Sequence, residues 1–380
     1  MRNSTLSLFG GTMLNTPETQ GVKYAGSKLK LIPHILSLFD DLEVKTVFDG
    51  FSGTTRVSQA FAKSGFKVTS NDISEWSHVF GLCFLKNKKK VSEYKELIEH
   101  LNSVKGYDGW FTKNYGGHDF SGSAVQPDGT KKPWQVHNTR RLDGIRDEID
   151  ALCLPEIEKA VALTSLILAM DEVDSTLGHF TSYLKDWSSR SYKEMRLKVP
   201  KVFENTEENI VLKGDIFDSM KNIAVDFAYF DPPYGSNNEK MPPSRVRYAS
   251  YYHVWATICK NDKPPVFGAA LRREDTSDRL AATVFEEFRK DNDGQFIAVK
   301  AIERLIQNVN AKYVALSYSS GGKATAEELN DILNRHGKLI KTIEIDHKKN
   351  VMADMKWTNE WLRDAEEPNR EFIFLIDKQA

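Results

Sequence analysis

Cysteine is almost missing from this 380-residue chain, with Cys83, Cys153 and Cys259 its only three. Odd in number and far apart, they exclude a disulfide framework and a metal knuckle, and they read as reduced, buried thiols of a cytosolic protein. Long apolar runs are missing too. The longest, Ala160 to Met170, falls well short of a bilayer span and is flanked by charges, so no membrane association is expected. Met1 to Gln20 carries no cationic stretch leading into an apolar core, which argues against a signal peptide and for a cytoplasmic location. Neither sign of charge dominates: 52 Lys and Arg stand against 53 Asp and Glu, so bulk charge names no partner. His118, His137, His179 and His253 show no ligand spacing, and no metal is expected. The length suits a full α/β domain with a second, smaller one, and no repeats interrupt it.

Against these absences one short motif stands out. Phe227-Ala228-Tyr229-Phe230 reads as a buried strand, and Asp231-Pro232-Pro233-Tyr234 ends it abruptly. In open α/β sheets ligands bind at the C-terminal edge of the strands. A carboxylate, a carbonyl held by a stiff turn and an aromatic face suit a flat substrate bearing an amino group. Asp231 and the Pro232 carbonyl would each accept an N–H, and Tyr234 would stack on the ring. The plain alternative is an Asp-Pro turn with no further role.

Upstream, Lys28 to Phe39 has helical spacing, and Thr46-Val47-Phe48 reads as a strand entering the turn Asp49-Gly50-Phe51-Ser52-Gly53-Thr54-Thr55. A helix over Val57 to Ala62 and a strand over Phe66 to Thr69 follow, ending at Asn71-Asp72. Strand, tight turn, helix, strand and acid open a doubly wound, Rossmann-like fold. Gly50 and Gly53 would let backbone approach a ligand, and Asp72, 23 residues after Asp49, stands where an acid binds ribose hydroxyls. Packing glycines and a helix N-cap are the plain alternatives. Tyr24 and Lys28, in Lys23-Tyr24-Ala25-Gly26-Ser27-Lys28, precede the first helix and suit an aromatic contact and a carboxylate contact. Asp215 in Gly214-Asp215-Ile216 suits an adenine amine or, equally, an N-cap.

Strand–helix alternation lapses between the second strand and Asn209-Ile210-Val211-Leu212. Residues 81–204 therefore read as an inserted, mainly helical domain, leaving 20–80 and 205–380 as one catalytic domain and 1–19 as a polar leader. Within the insertion, 105–133 reads as a long loop and Thr139 to Met170 as helical. After a polar loop over 235–247, a helical stretch ends near Cys259 and an amphipathic run centres on Val284-Phe285-Phe288. Tyr313 to Ser317, Leu339 to Ile345 and Glu371 to Ile376 close the chain as strands, with a helix to about Asn334 between the first two.

Taken in order, these motifs resemble the Dam-like, alpha-ordered DNA adenine methyltransferases. The resemblance implies S-adenosylmethionine as cofactor, with Tyr24, Lys28, Asp49, Gly50, Gly53, Asp72, Asp215 and Ile216 around it. It implies Asp231, Pro232, Pro233 and Tyr234 as the catalytic motif acting on an adenine N6 amine flipped from double-stranded DNA, and a target-recognition role for the insertion. Ser52-Gly53-Thr54 carries less glycine than many relatives. A cognate restriction endonuclease is an expected companion where such an enzyme belongs to a restriction-modification system. Lys185, Arg190, Lys193 and Arg196, interleaved with Phe180, Tyr183, Trp187 and Tyr192, form a basic aromatic segment suited to DNA, and Arg245 and Arg247 form a second candidate. A solvated charged face is the plain alternative for both. Competing readings are methylation of RNA or of a protein amide, a non-catalytic binding subunit, and a nicotinamide-dependent dehydrogenase, the last with no role for Asp231-Pro232-Pro233-Tyr234.

Overall fold

The computed structural model describes residues 4–6, 12–14, 16–234, 247–277, 283–287, 289–346 and 370–380. Its centre is a seven-stranded sheet. The first half runs β1 (Thr46–Asp49), α1 (Arg56–Lys63), β2 (Lys67–Asp72) and α2 (Glu75–Leu85). Helices α3 (Val136–Ala151) and α4 (Glu156–Glu172) precede β3 (Ile210–Lys213) and β4 (Val225–Phe230). The second half adds α5 (His253–Lys260), α6 (Ile297–Asn308), β5 (Ala311–Ser319), α7 (Ala326–His336), β6 (Lys338–Asp346) and β7 (Arg370–Asp377). Strand order is β6-β7-β5-β4-β1-β2-β3, and β7 alone runs antiparallel to its neighbours.

The chain builds outward from β1 through β2 to β3, then returns to place β4 on the other side of β1. The β1–β4 seam is therefore the switch point at which a doubly wound sheet opens a crevice. Two of the sequence motifs end there: the glycine turn leaves β1, and Asp231-Pro232-Pro233-Tyr234 leaves β4.

Both faces of the sheet are covered, which is why β4 is apolar from Phe227 to Phe230, after Asp226 at its start. Phe227 and Tyr229 pack with Phe39, Phe61 and Phe66 on one face, while Ala228 and Phe230 pack with Ile302 and Leu305 of α6 on the other. The amphipathic run expected around Val284-Phe285-Phe288 forms a single turn, Val284–Glu286, and the long helix that follows is α6. Phe288 lies outside the described residues. A local amphipathic pattern does not report that Thr283 and Glu286 close this turn through a capping box.

The segment expected to be an insertion packs continuously with the sheet's flank. Trp76, Phe80 and Phe84 of α2 share one apolar cluster with Leu142, Ile145 and Ile149 of α3, Leu163 and Leu166 of α4, and Val254, Trp255 and Ile258 of α5. The boundary expected between residues 80 and 81 falls inside α2. The expected loop over 105–133 holds a helix, Trp110–Tyr115, whose start is tied by Asp143 accepting the N–H groups of Gly109, Phe111 and Thr112. That cap comes from 32 residues downstream of Phe111, so local sequence gives no sign of it. Cys83 and Cys259 are buried, but Cys153 is exposed, just beyond the end of α3, contrary to expectation. Among the described residues no helix is long and apolar enough to cross a membrane.

Candidate active site

A cavity of about 870 Å³ opens at the β1–β4 seam. One wall is the glycine turn with Asp72, another is Tyr24 to Lys30, and Asp231 to Tyr234 close the third. All the residues expected around the cofactor, Tyr24, Lys28, Asp49, Gly50, Gly53, Asp72, Asp215 and Ile216, line this one space.

Asp49 is 1 % exposed. Ser58 Oγ donates to its Oδ2 at 2.5 Å, while among the described residues Oδ1 is buried with no hydrogen-bond partner. Burial pushes its pKa up to about 7, the Ser58 bond opposing the rise. Asp72 accepts from Gly53 N (2.8 Å) and Ser74 N (2.8 Å), and burial raises its pKa. Gly53 needs its lack of side chain, since its φ of +47° lies in the left-handed region. Gly50 differs from expectation: a Cβ there would meet Phe230 at 2.6 Å, so its bareness serves packing against β4. Asp215 is exposed, and its Oδ1 accepts from Phe217 N at 2.8 Å as an N-cap. Tyr24 stacks on Tyr252 (4.7 Å between centroids) and on Tyr248 (5.5 Å) and leans on Trp76.

At the third wall lies a charge cluster. Lys28 Nζ sits 3.1 Å from Asp231 Oδ1 and 2.8 Å from Glu371 Oε1. The Tyr234 hydroxyl donates to Asp231 Oδ1 and lies 2.7 Å from Glu371 Oε1. Both contacts to Asp231 fall on Oδ1, and among the described residues Oδ2 takes no hydrogen bond. Burial pushes the Asp231 pKa up to about 6, with Lys28 opposing and Glu371 adding to the rise. Burial pulls Lys28 down, but the two carboxylates outweigh it and leave the ammonium above its ordinary value. Lys28 was expected to meet a cofactor carboxylate; here its charge is already shared by two protein acids. Glu371 was missed as a site residue, since nothing in Glu371-Phe372-Ile373-Phe374 marks it apart from a strand. Tyr234 lies against Tyr318 (4.6 Å between centroids), with Lys28 Nζ 4.8 Å from its ring centre.

A family model described as D12 class N6 adenine-specific DNA methyltransferase matches residues 24–315, well over half of the chain. The chain belongs to that family. Among its curated relatives, Modification methylase StsI of Streptococcus sanguinis is 28% identical over 319 residues, which is 82% of this chain and 46% of the relative. Type II methyltransferase M.FokI of Planomicrobium okeanokoites is 27% identical over 94% of this chain and 53% of its own length. Type II methyltransferase M.NlaIII of Neisseria lactamica is 24% identical over 83% of this chain and 89% of its own. The chain thus spans about half the length of the first two.

For a member of a DNA methyltransferase family, the residues expected to meet DNA fall into two groups. Lys185, Lys193 and Arg196 are exposed, Arg196 pairing loosely with Glu99 at 3.3 Å. Arg190 turns inward instead. Its guanidinium bonds the Asp174 carboxylate at 2.6 Å and the backbone oxygens of Asp174 and Thr176. Phe180, Tyr183 and Trp187 are buried, so of the interleaved aromatics only Tyr192 is open to solvent. Phe180 and Tyr183 join the apolar cluster of α2 to α5, a pull that local sequence does not display. Arg247 is buried at the start of the short helix Tyr248–Tyr251, and Arg245 lies outside the described residues.

Proposed function

We propose that this chain transfers a methyl group from S-adenosylmethionine to the N6 amine of an adenine flipped out of double-stranded DNA. The observation that carries the reading is the meeting of the glycine turn, Asp72 and Asp231-Pro232-Pro233-Tyr234 on one cavity. The residues fit such a cofactor. Asp49 and Asp72 line the same wall of the cavity, and Tyr24 and Trp76 give a flat moiety an aromatic flank. When bound there, the cofactor supplies an electrophilic methyl on a sulfonium.

The chain's own part is to bind, orient and hold charge. Asp231 through its open Oδ2, and the Pro232 carbonyl, would accept the two N–H bonds of the amine. Those bonds strengthen as positive charge grows on nitrogen, so they favour the transition state over the ground state. An acceptor of this kind is commonly worth about 3 kcal/mol. Extruding the base costs a few kcal/mol. Stacking by Tyr234 returns about 1–3 kcal/mol.

On the same reading residues 81–204 are the target-recognition region, with Lys185, Lys193 and Arg196 contacting phosphates. The enzyme works in the cytoplasm, as the modification partner of a restriction endonuclease or as a solitary methylase. The test is methyl transfer by the purified chain from labelled S-adenosylmethionine to duplex DNA and to RNA, with modified bases mapped by sequencing. Label on adenine N6 within one short duplex sequence is expected, and none from Asp231→Ala. Label on RNA alone, or full turnover by Asp231→Ala, would overturn the reading.

A further inference from the structure

The chemistry above leaves one member of the buried charge cluster without a role. We propose that Glu371, on the last strand of the sheet, is a positioning residue that seats the Lys28 ammonium and the Tyr234 hydroxyl against Asp231. This deepens, and rests on, the reading of Asp231 as the acceptor for the amine.

Topology brings the two acids together across 140 residues of sequence. Because β7 is the antiparallel strand, its first residues stand at the edge where the parallel strands end, and Glu371 pairs in register with Ser319 near the end of β5. That is the edge from which Asp231 leaves β4. Glu371 is 3 % exposed, and a carboxylate is so enclosed only where partners offset its lost hydration. Its partners are the groups that hold Asp231: Lys28 Nζ at 2.8 Å, and the Tyr234 hydroxyl at 2.7 Å, whose single proton the two carboxylates share.

Charge counting shows what this achieves. Neutrality needs one carboxylate for the one ammonium, yet two are present. The ammonium sits nearer Glu371 (2.8 Å) than Asp231 (3.1 Å). A lone Lys28–Asp231 pair would draw the cation fully onto Asp231 and drain its capacity to accept from an amine. Sharing the cation leaves Asp231 ionisable yet only half neutralised. Among the described residues the groups that bear on Asp231 are Lys28 from the N-terminal segment, Glu371 from β7, Tyr234 from its own turn, Tyr229 from β4, Asp49 from β1, and Tyr24 and Tyr248 from the facing wall. Of these only Lys28 is cationic, so removing the Glu371 charge hands it to Asp231.

Glu371→Gln keeps the shape and removes the charge. NMR of cofactor-free protein labelled at aspartate carboxyls, with Asp231→Asn identifying the resonance, reads Asp231 directly. Its midpoint is expected to move to lower pH by on the order of one unit. The acid limb of the kcat profile should move the same way, with KM for DNA and for the methyl donor changed less than about twofold. Glu371→Asp should restore the wild-type limb in part, and it carries the same test if Glu371→Gln does not fold. An Asp231 midpoint and acid limb that stay in place in a folded variant would overturn the proposal. A moved midpoint in a protein whose wild type methylates no DNA would sink the proposed function and leave the positioning role standing.

Discussion

Replacing Asp231 by Asn separates what the residue does for stability from what it does for catalysis. Folding takes its pKa from 3.8 to about 6, because burial outweighs the attraction of Lys28. An acid whose folded pKa lies above its unfolded one binds its proton more tightly when folded. Its contribution is therefore fully present below pH 3.8 and is lost as pH rises through about 6. The shift of about two units sets a ceiling of about 3 kcal/mol on that loss. The side chain is 18 % exposed at the cavity, so solvent trims the figure towards about 2 kcal/mol. Asn cannot ionise and escapes the loss, while Lys28 keeps Glu371 as its partner. Urea melts of both proteins at about pH 3 and about pH 8 should show the stability difference swinging towards the variant by about 2 kcal/mol at the higher pH. Its kcat should fall by about 10²–10³-fold. A difference that stays flat, or swings towards the wild type as pH rises, would show that the Lys28 pair matches or outweighs burial, contrary to the raised Asp231 pKa.

Gly50→Ala forces a methyl to within 2.6 Å of Phe230, so urea melts should show a loss of about 1–3 kcal/mol from overpacking. Asp49→Asn removes a carboxylate that burial holds near pH 7; calorimetric titration should show weaker S-adenosylmethionine binding, with the deficit growing as pH rises through about 7. Arg190→Ala and Lys193→Ala should part company. The first takes one of two cations from the buried Asp174, leaving it Lys23, and costs about 1–3 kcal/mol in a melt. The second leaves the melt unchanged and lowers the salt slope of DNA binding by about one.

Much of this protein is written locally. Phe227 to Phe230 had to be a strand buried on both faces, because no amphipathic alternative fits four consecutive large or apolar side chains, and two prolines had to end it. The order of glycine turn, Asp72 and Asp231-Pro232-Pro233-Tyr234 carries the family by itself, since each piece is a short contiguous run. What local sequence does not carry is the company each side chain keeps. Gly50 and Arg190 have the residue types of a ligand contact, yet Phe230 and Asp174 claim them, and both lie on other elements of the fold. Asp143 starts a helix some 30 residues upstream in a stretch that reads as loop. Glu371 sits in an ordinary strand sequence, and only an antiparallel last strand, laid beside parallel ones, carries its carboxylate to the ammonium that Asp231 shares. Periodicity and turn chemistry act over a few residues, whereas burial and charge pairing are properties of neighbours in space, and those exist only after the sheet has assembled.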